Sequence, residues 1–198
     1  MKDGGLALVV FGPQGSGKST QVERLAQSQR LVIFEAGEEL RQRARDDIKI
    51  RDQITKGVLV EDEVMRTIIE EFIKIHPSQT GYIFDGYPRD LIQFQGFQTL
   101  VRKYGWHAIG IFINLSDESA KKRLSERYQI IDGRKIKRPD DNPDTVQKRL
   151  NTFRIETLPL KDNFSNDFEL LEINGEPSVD EVTDQIRLAV DQIFNDEN

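Results

Sequence analysis

Short apolar runs alternate with longer amphipathic stretches along the 198 residues of the chain. The runs occupy 6–11, 31–34, 82–84, 108–115 and 168–173 and are rich in β-branched and aromatic residues. Several, such as LALVVF, are continuous rather than alternating, as strands buried on both faces should be. Between them, apolar positions recur at helical spacing over 18–26, 61–74, 91–104, 118–128, 145–164 and 179–194. Asn142-Pro143-Asp144 is a helix start, with a capping side chain before a proline at the first helical position. Ser178 with Glu181 forms a second start, a capping box. This alternation predicts an α/β fold, a parallel sheet covered on both faces by helices. Two segments interrupt it. Residues 36–77 read as helical with no strand, and 128–137, YQIIDGRKIK, lie between two arginines. Both are expected to be insertions at the ligand-bearing edge of the sheet, and residues 195–198 to fray.

Composition narrows this to one soluble domain. The length suits a single core, and 37% hydrophobic with 31% charged residues fits a well-charged globular surface. No apolar run approaches a bilayer span, and the N-terminal stretch reads as a strand rather than a signal peptide, so a cytoplasmic location is expected. With no cysteine, disulfides and thiolate metal sites are excluded. His76 and His107 lie far apart, which argues against a His-based metal cluster and predicts surface or loop positions for both. The net charge of −6 argues against nonspecific nucleic-acid binding. Yet residues 121–154 hold eleven basic and five acidic side chains, leaving about −12 on the remainder. That cluster is either a solvated helix face or a local anion site.

The motif GPQGSGKS, residues 12–19, follows the first apolar run and opens a helical pattern. It matches G-x-x-x-x-G-K-[ST], in which glycines wrap the backbone N–H groups around a phosphate and the helix N-terminus adds positive potential. Gly12, Gly15, Ser16 and Gly17 form the cradle. Lys18 is placed to reach the β- and γ-phosphates, Ser19 to meet Mg²⁺, and Thr20 to add a phosphate bond. The motif predicts a nucleoside triphosphate and leaves the fate of its phosphate open.

The second stretch is IFDGYPRDLIQFQ, residues 83–95. An apolar strand ends there on Asp85, a carboxylate that is costly to cover unless it is paired or faces a cation. Beside a phosphate loop the natural partner is Mg²⁺ or its water shell; a turn or capping aspartate is the alternative. Gly86 leaves room for close backbone approach, and Pro88 aims Arg89 over the strand ends, where ligands collect in open α/β sheets.

These motifs together resemble the adenylate kinase family of nucleoside monophosphate kinases, in order and over nearly the whole chain. GPQGSGKSTQ is similar to its phosphate loop, with Ser19 where many members carry glycine. AGEELR, with Ala36, Gly37 and Arg41, resembles the TGDLLR stretch that grips the monophosphate. GVLVEDE, with Val58, Leu59 and Val60, resembles the segment along the acceptor base, and DGYPR with Gln93 resembles DGFPR-x-x-x-Q. Arg123 and Arg127 match the arginines before a mobile lid, and Arg138 and Arg149 stand in the family's places after it.

The resemblance implies a P-loop NTPase fold: a five-stranded parallel sheet flanked by helices, with core residues 1–35, 78–127 and 138–198. It implies a monophosphate-binding segment at 36–77 and a short lid at 128–137, a small loop with no separate β-rich domain and no zinc. It implies ATP and AMP as substrates, Mg²⁺ as cofactor and a monomer. Direct phosphoryl transfer needs alignment and charge neutralisation rather than a protein nucleophile. Lys18, Arg89, Arg123, Arg127, Arg138 and Arg149 are the implied catalytic cations, of which Arg123 and Arg127 also bind ATP. The acceptor set is Ala36, Gly37, Arg41, Val58, Leu59, Val60, Gly86, Arg89, Gln93, Arg138 and Arg149, and the metal pair is Ser19 with Asp85, through water. Asp140 and Asp141 are candidates to orient the arginines, while Arg134, Lys135 and Lys137 read as solvated lid charge.

The acceptor base is marked twice, in conflict. The amide of Gln93 both donates and accepts and suits an adenine edge. Ala36 stands where adenylate kinases usually carry threonine and looks like the uridylate and cytidylate kinases. Adenylate is the leading expectation. A UMP/CMP kinase, a nucleotide-binding protein without transfer, and a P-loop kinase of another small metabolite are the alternatives.

Overall fold

The segment LALVVF becomes strand β1 (Leu6–Phe11), and every residue in it is buried. The computed structural model describes residues 5–56, 58–131, 134–137 and 143–196. The further strands are β2 (Val32–Glu35), β3 (Gly81–Asp85), β4 (His107–Asn114), β5 (Tyr128–Ile131), β6 (Arg134–Lys137) and β7 (Glu169–Asn174). The helices are α1 (Lys18–Gln29), α2 (Ala36–Arg43), α3 (Ile48–Lys56), α4 (Asp62–Ile75) and α5 (Leu91–Tyr104). They continue with α6 (Asp117–Ser125), α7 (Pro143–Thr152), α8 (Leu160–Asp167) and α9 (Val179–Asp196).

The main sheet is five-stranded and parallel, in the order β2-β3-β1-β4-β7. Its strand order reverses on either side of β1, so the crevice beyond the carboxyl end of β1 is the position where open α/β sheets hold ligands. Successive residues of β1 feed opposite faces. Ala7, Val9 and Phe11 join Phe34, Phe84, Phe97 and Phe164 in one core. Leu6, Leu8 and Val10 join Val22, Leu25, Ile111 and Ile186 in the other. This two-sided burial explains why the run is continuous rather than alternating. A third cluster, with Leu115, Leu124, Val146 and Leu150, fastens α6 to α7.

All five expected sheet strands form within a residue or two of their expected bounds, and 36–77 is helical, as α2, α3 and α4. The Ser178–Glu181 capping box opens α9: Ser178 N–H donates to Glu181 Oε2 at 2.9 Å and Glu181 N–H to Ser178 Oγ at 3.4 Å. The other expected helix start falls at Pro143, the first residue of α7, while Asn142 lies outside the described residues. No helix among the described residues is long and apolar enough to cross a membrane.

Four expectations are corrected. The helix expected over 145–164 is broken: α7 runs into a π-helical turn (Phe153–Thr157), and α8 starts only at Leu160. Pro159 has no N–H to continue the α-helical ladder, and Leu158 N–H instead reaches back to Phe153 O at 2.8 Å. The small loop expected at 128–137 contains two paired strands, for β5 and β6 run antiparallel from Tyr128↔Lys137 to Ile131↔Arg134. For the same reason the helix expected to reach residue 128 stops at Ser125; Tyr128, Ile130 and Ile131 suit extended backbone better. Finally, His107 is no surface residue. It opens β4 with its side chain 11% exposed and its Nε2 3.6 Å from Glu169, whereas His76 is exposed at the end of α4.

Candidate active site

Residues 12–17 turn at the carboxyl end of β1 into α1. A Cβ at Gly12 would lie 2.4 Å from the Ile113 carbonyl oxygen, so only glycine fits against the neighbouring strand. Gly17 caps α1 at φ 86°, a left-handed conformation that costs glycine little. No side chain of the Gly17 cap position closes α1, and its first turn holds no acidic residue, so the helix itself brings no carboxylate to the positive potential at its start. Ser16 is buried, and its Oγ has no hydrogen-bond partner among the described residues. A covered hydroxyl of this kind calls for an acceptor, and a phosphate oxygen in the cradle would supply it.

Lys18 curls over the same cradle, its Nζ donating to Gly12 O and Pro13 O at 2.8 Å each. Burial pushes its pKa down to about 8; Asp85 opposes that shift, and Arg89 and Arg127 add to it. These three side chains, carried by β3, the turn after it and the segment after α6, therefore act on one ammonium group. Ser19 Oγ donates to Asp85 Oδ2 at 3.1 Å, across the edge of β1 and β3. A hydroxyl and a carboxylate so placed are hard oxygen donors, the set that suits Mg²⁺ shared with phosphate and water. Thr20 is exposed on the first turn of α1.

In the turn after β3, Arg89 Nε donates to Gly86 O at 2.9 Å. A Cβ added at Gly86 would meet Arg89 Nη2 at 2.9 Å and Ala36 Cβ at 3.7 Å, so Gly86, Arg89 and Ala36 are adjacent. The Arg89 main chain is pinned twice: its N–H donates to Gln93 Oε1 at 2.9 Å, and its carbonyl accepts from Thr157 Oγ1 at 3.2 Å. Asp90 caps α5 through the Gln93 N–H at 2.8 Å.

Gln93 itself is buried, and its Nε2 donates to Val60 O at 3.2 Å. Its amide thus joins Arg89 to the 58–60 stretch, in which Val58 is exposed and Val60 buried. One amide proton and one carbonyl lone pair remain beyond these two bonds. Arg41 holds Glu38 Oε2 at 2.8 Å and Glu35 Oε1 at 3.3 Å, with its Nη1 3.2 Å from the place of a Cβ on Gly37.

Arg123 reaches the loop after β7, where its Nη2 donates to the carbonyls of Glu176 and Pro177 at 2.9 and 3.3 Å. Sequence reasoning missed the clamp beneath it. Glu176 accepts from Ser119 Oγ at 2.6 Å and Ser116 N–H at 2.9 Å, at the start of α6. These bonds, the Ser119 hydroxyl first, draw its pKa down to about 2. No spacing signals a carboxylate arriving from the loop after β7. Arg138, Asp140 and Asp141 lie outside the described residues, as do the side chains of Arg149, Lys135 and Lys137, while Arg134 is exposed.

Comparison with known proteins agrees with this geometry. A sequence model of the family described as "Adenylate kinase" matches residues 10–168. Among curated proteins, "Adenylate kinase 1" of Nostoc sp. PCC 7120 is 31% identical over 188 residues, 92% of this chain and 97% of its own. "Adenylate kinase isoenzyme 1" of Caenorhabditis elegans is 33% identical over 180 residues, 88% of this chain and 81% of its own. "Adenylate kinase" of Azobacteroides pseudotrichonymphae is 30% identical over 195 residues, 96% and 99% of the two chains. A likeness that runs from the end of β1 to the start of β7 makes this chain a member of the adenylate kinase family, and hence a phosphotransferase of the nucleoside monophosphate kinase type.

Proposed function

We propose that the protein catalyses the reversible, Mg²⁺-dependent transfer of a phosphoryl group from ATP to AMP, yielding two ADP. The observation that carries this reading is the convergence of Lys18, Asp85, Arg89 and Arg127 at one edge of the sheet, beside the Ser19–Asp85 contact. Phosphoryl transfer builds charge on oxygens and needs little covalent help, so a fixed cluster of cations around the transferring group supplies the main stabilisation.

In this scheme the residues 12–20 hold the donor phosphates, Ser16 Oγ finds its acceptor there, and Lys18 exchanges the Gly12 and Pro13 carbonyls for phosphate oxygens. Ser19 and Asp85 hold Mg²⁺, largely through water, and the cation neutralises charge on the donor phosphates when bound. Arg127 stands on the donor side, and Arg123, fixed to the 176–177 carbonyls, borders it. Arg89 and Arg41 receive the acceptor phosphate, with Arg138 and Arg149 as further cations. Ala36, Gly37, Gly86 and the 58–60 stretch line the acceptor, and Gln93 offers its remaining amide proton and lone pair to the base. Residues 36–77 act as the monophosphate-binding segment. The segment 128–137, with its paired strands, acts as the lid, excluding water from the reacting phosphates. A monomer acting in the cytoplasm completes the proposal.

The names of the relatives support adenine as the acceptor base. One observation favours a pyrimidine instead: Ala36, buried beside Gly86 and Arg89, presents a methyl group where a hydroxyl would sit. Assay of AMP, UMP, CMP and GMP with ATP and Mg²⁺ separates the two, with AMP expected to react fastest. A clear preference for UMP or CMP would overturn the adenine assignment, and binding of ATP without transfer to any monophosphate would overturn the enzymatic reading. Lys18→Ala is expected to abolish transfer while leaving the circular-dichroism spectrum unchanged. Loss of the folded spectrum would make Lys18 structural instead.

A further inference from the structure

Arg41 is held by two carboxylates from two different elements. Glu38 sits one turn earlier on the same helix, bonding Arg41 Nε at 3.2 Å and Nη2 at 2.8 Å. Its own position is braced by Gln42 Nε2 at 3.3 Å. The hydrogen bond from Arg41, then that from Gln42, holds the Glu38 carboxyl below the usual carboxylate range. Glu35 immediately precedes that helix, at its N-cap position. It is the last residue of β2, set in register beside Asp85, and it reaches Arg41 Nη2 at 3.3 Å from the edge of the sheet. The guanidinium lies over Gly37, with both its Nε and Nη2 donors engaged by carboxylate oxygens. A planar fork filled in this way is in the state that a bound phosphate monoester would impose on it.

We propose that Glu35 tunes affinity for the acceptor nucleoside monophosphate, acting as an internal counter-ion that the acceptor's phosphate must displace from Arg41. The inference rests on the reading that Arg41 receives that phosphate. A dianionic phosphate outcompetes a single carboxylate for the fork, but only after the Glu35–Arg41 contact has been given up, so part of the binding free energy is lost. Glu35 and Arg41 are both more than half exposed, which keeps the loss small. Glu38 acts differently: its bonds run along the helix and preset the fork's orientation whether or not acceptor is bound. Glu35 is thus a positioning residue for Arg41 in the empty site, at the cost of acceptor affinity.

Calorimetric titration of AMP into the full-length protein, without donor, tests this on Glu35→Gln, Arg41→Ala and the double variant. Glu35→Gln is expected to tighten AMP binding by about two- to fivefold, the range open to an exposed ion pair. Arg41→Ala is expected to weaken binding, and Glu35→Gln to have no effect in the Arg41→Ala background. Unchanged or weaker binding by Glu35→Gln, with Arg41→Ala still weak, would overturn the role of Glu35 and leave that of Arg41 standing. Equal tightening in both backgrounds would reduce Glu35 to a general charge effect and also overturn it. If Arg41→Ala binds AMP as tightly as the unaltered protein, the assignment of Arg41 fails, and the inference with it.

Discussion

Lys18 shows how one residue's surroundings set its chemistry. Its ammonium group shares its space with Arg89 and Arg127, and burial outweighs the attraction of Asp85, so its pKa drops from 10.5 to about 8. The empty loop therefore loses its central charge as pH rises through about 8. A bound polyphosphate favours the charged form and raises the pKa again, so binding takes up a proton on the alkaline side. Donor-nucleotide affinity is expected to fall by up to about tenfold per pH unit above pH 8. Calorimetry in buffers of different ionisation enthalpy, at about pH 8.5, is expected to register the proton uptake, and its absence would mean that Lys18 keeps its charge in the empty loop. Gln93 makes the complementary point. Its amide serves the protein first, through Arg89 and Val60, and only the donor and acceptor left over can address a base.

At the scale of elements, α4 and α5 pack through Gly96, where the helix surface must be bare. A Cβ there would lie 2.0 Å from Asp62 Oδ1 and 2.6 Å from its Cγ. Asp62 cannot swing aside cheaply, because Arg66 Nε holds it at 2.9 Å and the Tyr87 hydroxyl donates to it at 3.4 Å. Helix propensity alone would make Gly96→Ala stabilising by about 1 kcal/mol. Overpacking of a site already occupied costs about 1–3 kcal/mol and wins, so urea unfolding is expected to show a net loss of stability. In the Asp62→Ala background the penalty is expected to vanish; an undiminished loss there would place the clash elsewhere. The π-helical turn teaches a similar lesson. Its position follows from Pro159, and it brings Thr157 onto the Arg89 carbonyl, so a local break in α-helical bonding becomes a brace for the site.

Over the whole molecule, charge is segregated. Residues 121–154, which include the second half of α6, the strands β5 and β6 and all of α7, carry an excess of about +6 on a chain of net charge −6. An anionic nucleotide is opposed by the average field and favoured by the local excess of positive charge on this stretch. Screening weakens the local attraction over a Debye length of about 10 Å at 0.1 M salt. Raising salt from about 20 to 300 mM is therefore expected to lower kcat/KM for both nucleotides severalfold, as steered association does. A flat salt dependence would mean that these basic side chains stay solvated and take no part in capture.

The sequence by itself determined the α/β class, the five sheet strands, the phosphate loop and the strand-to-turn stretch that carries Asp85 and Arg89. Each of these is local, for strand, loop and helix are contiguous in the chain, and periodicity with glycine placement encodes them directly. Only the tertiary structure decided who meets whom. Ser19 finds Asp85 across 66 residues, and Arg123 turns to the loop after β7 across more than 50. A polar side chain's type states what it can bond but not with which of many distant partners, and that choice is made when the sheet order sets strand ends side by side. The paired strands in place of a loop and the broken helix before β7 were missed because pairing and main-chain hydrogen bonds overrode the side-chain pattern there.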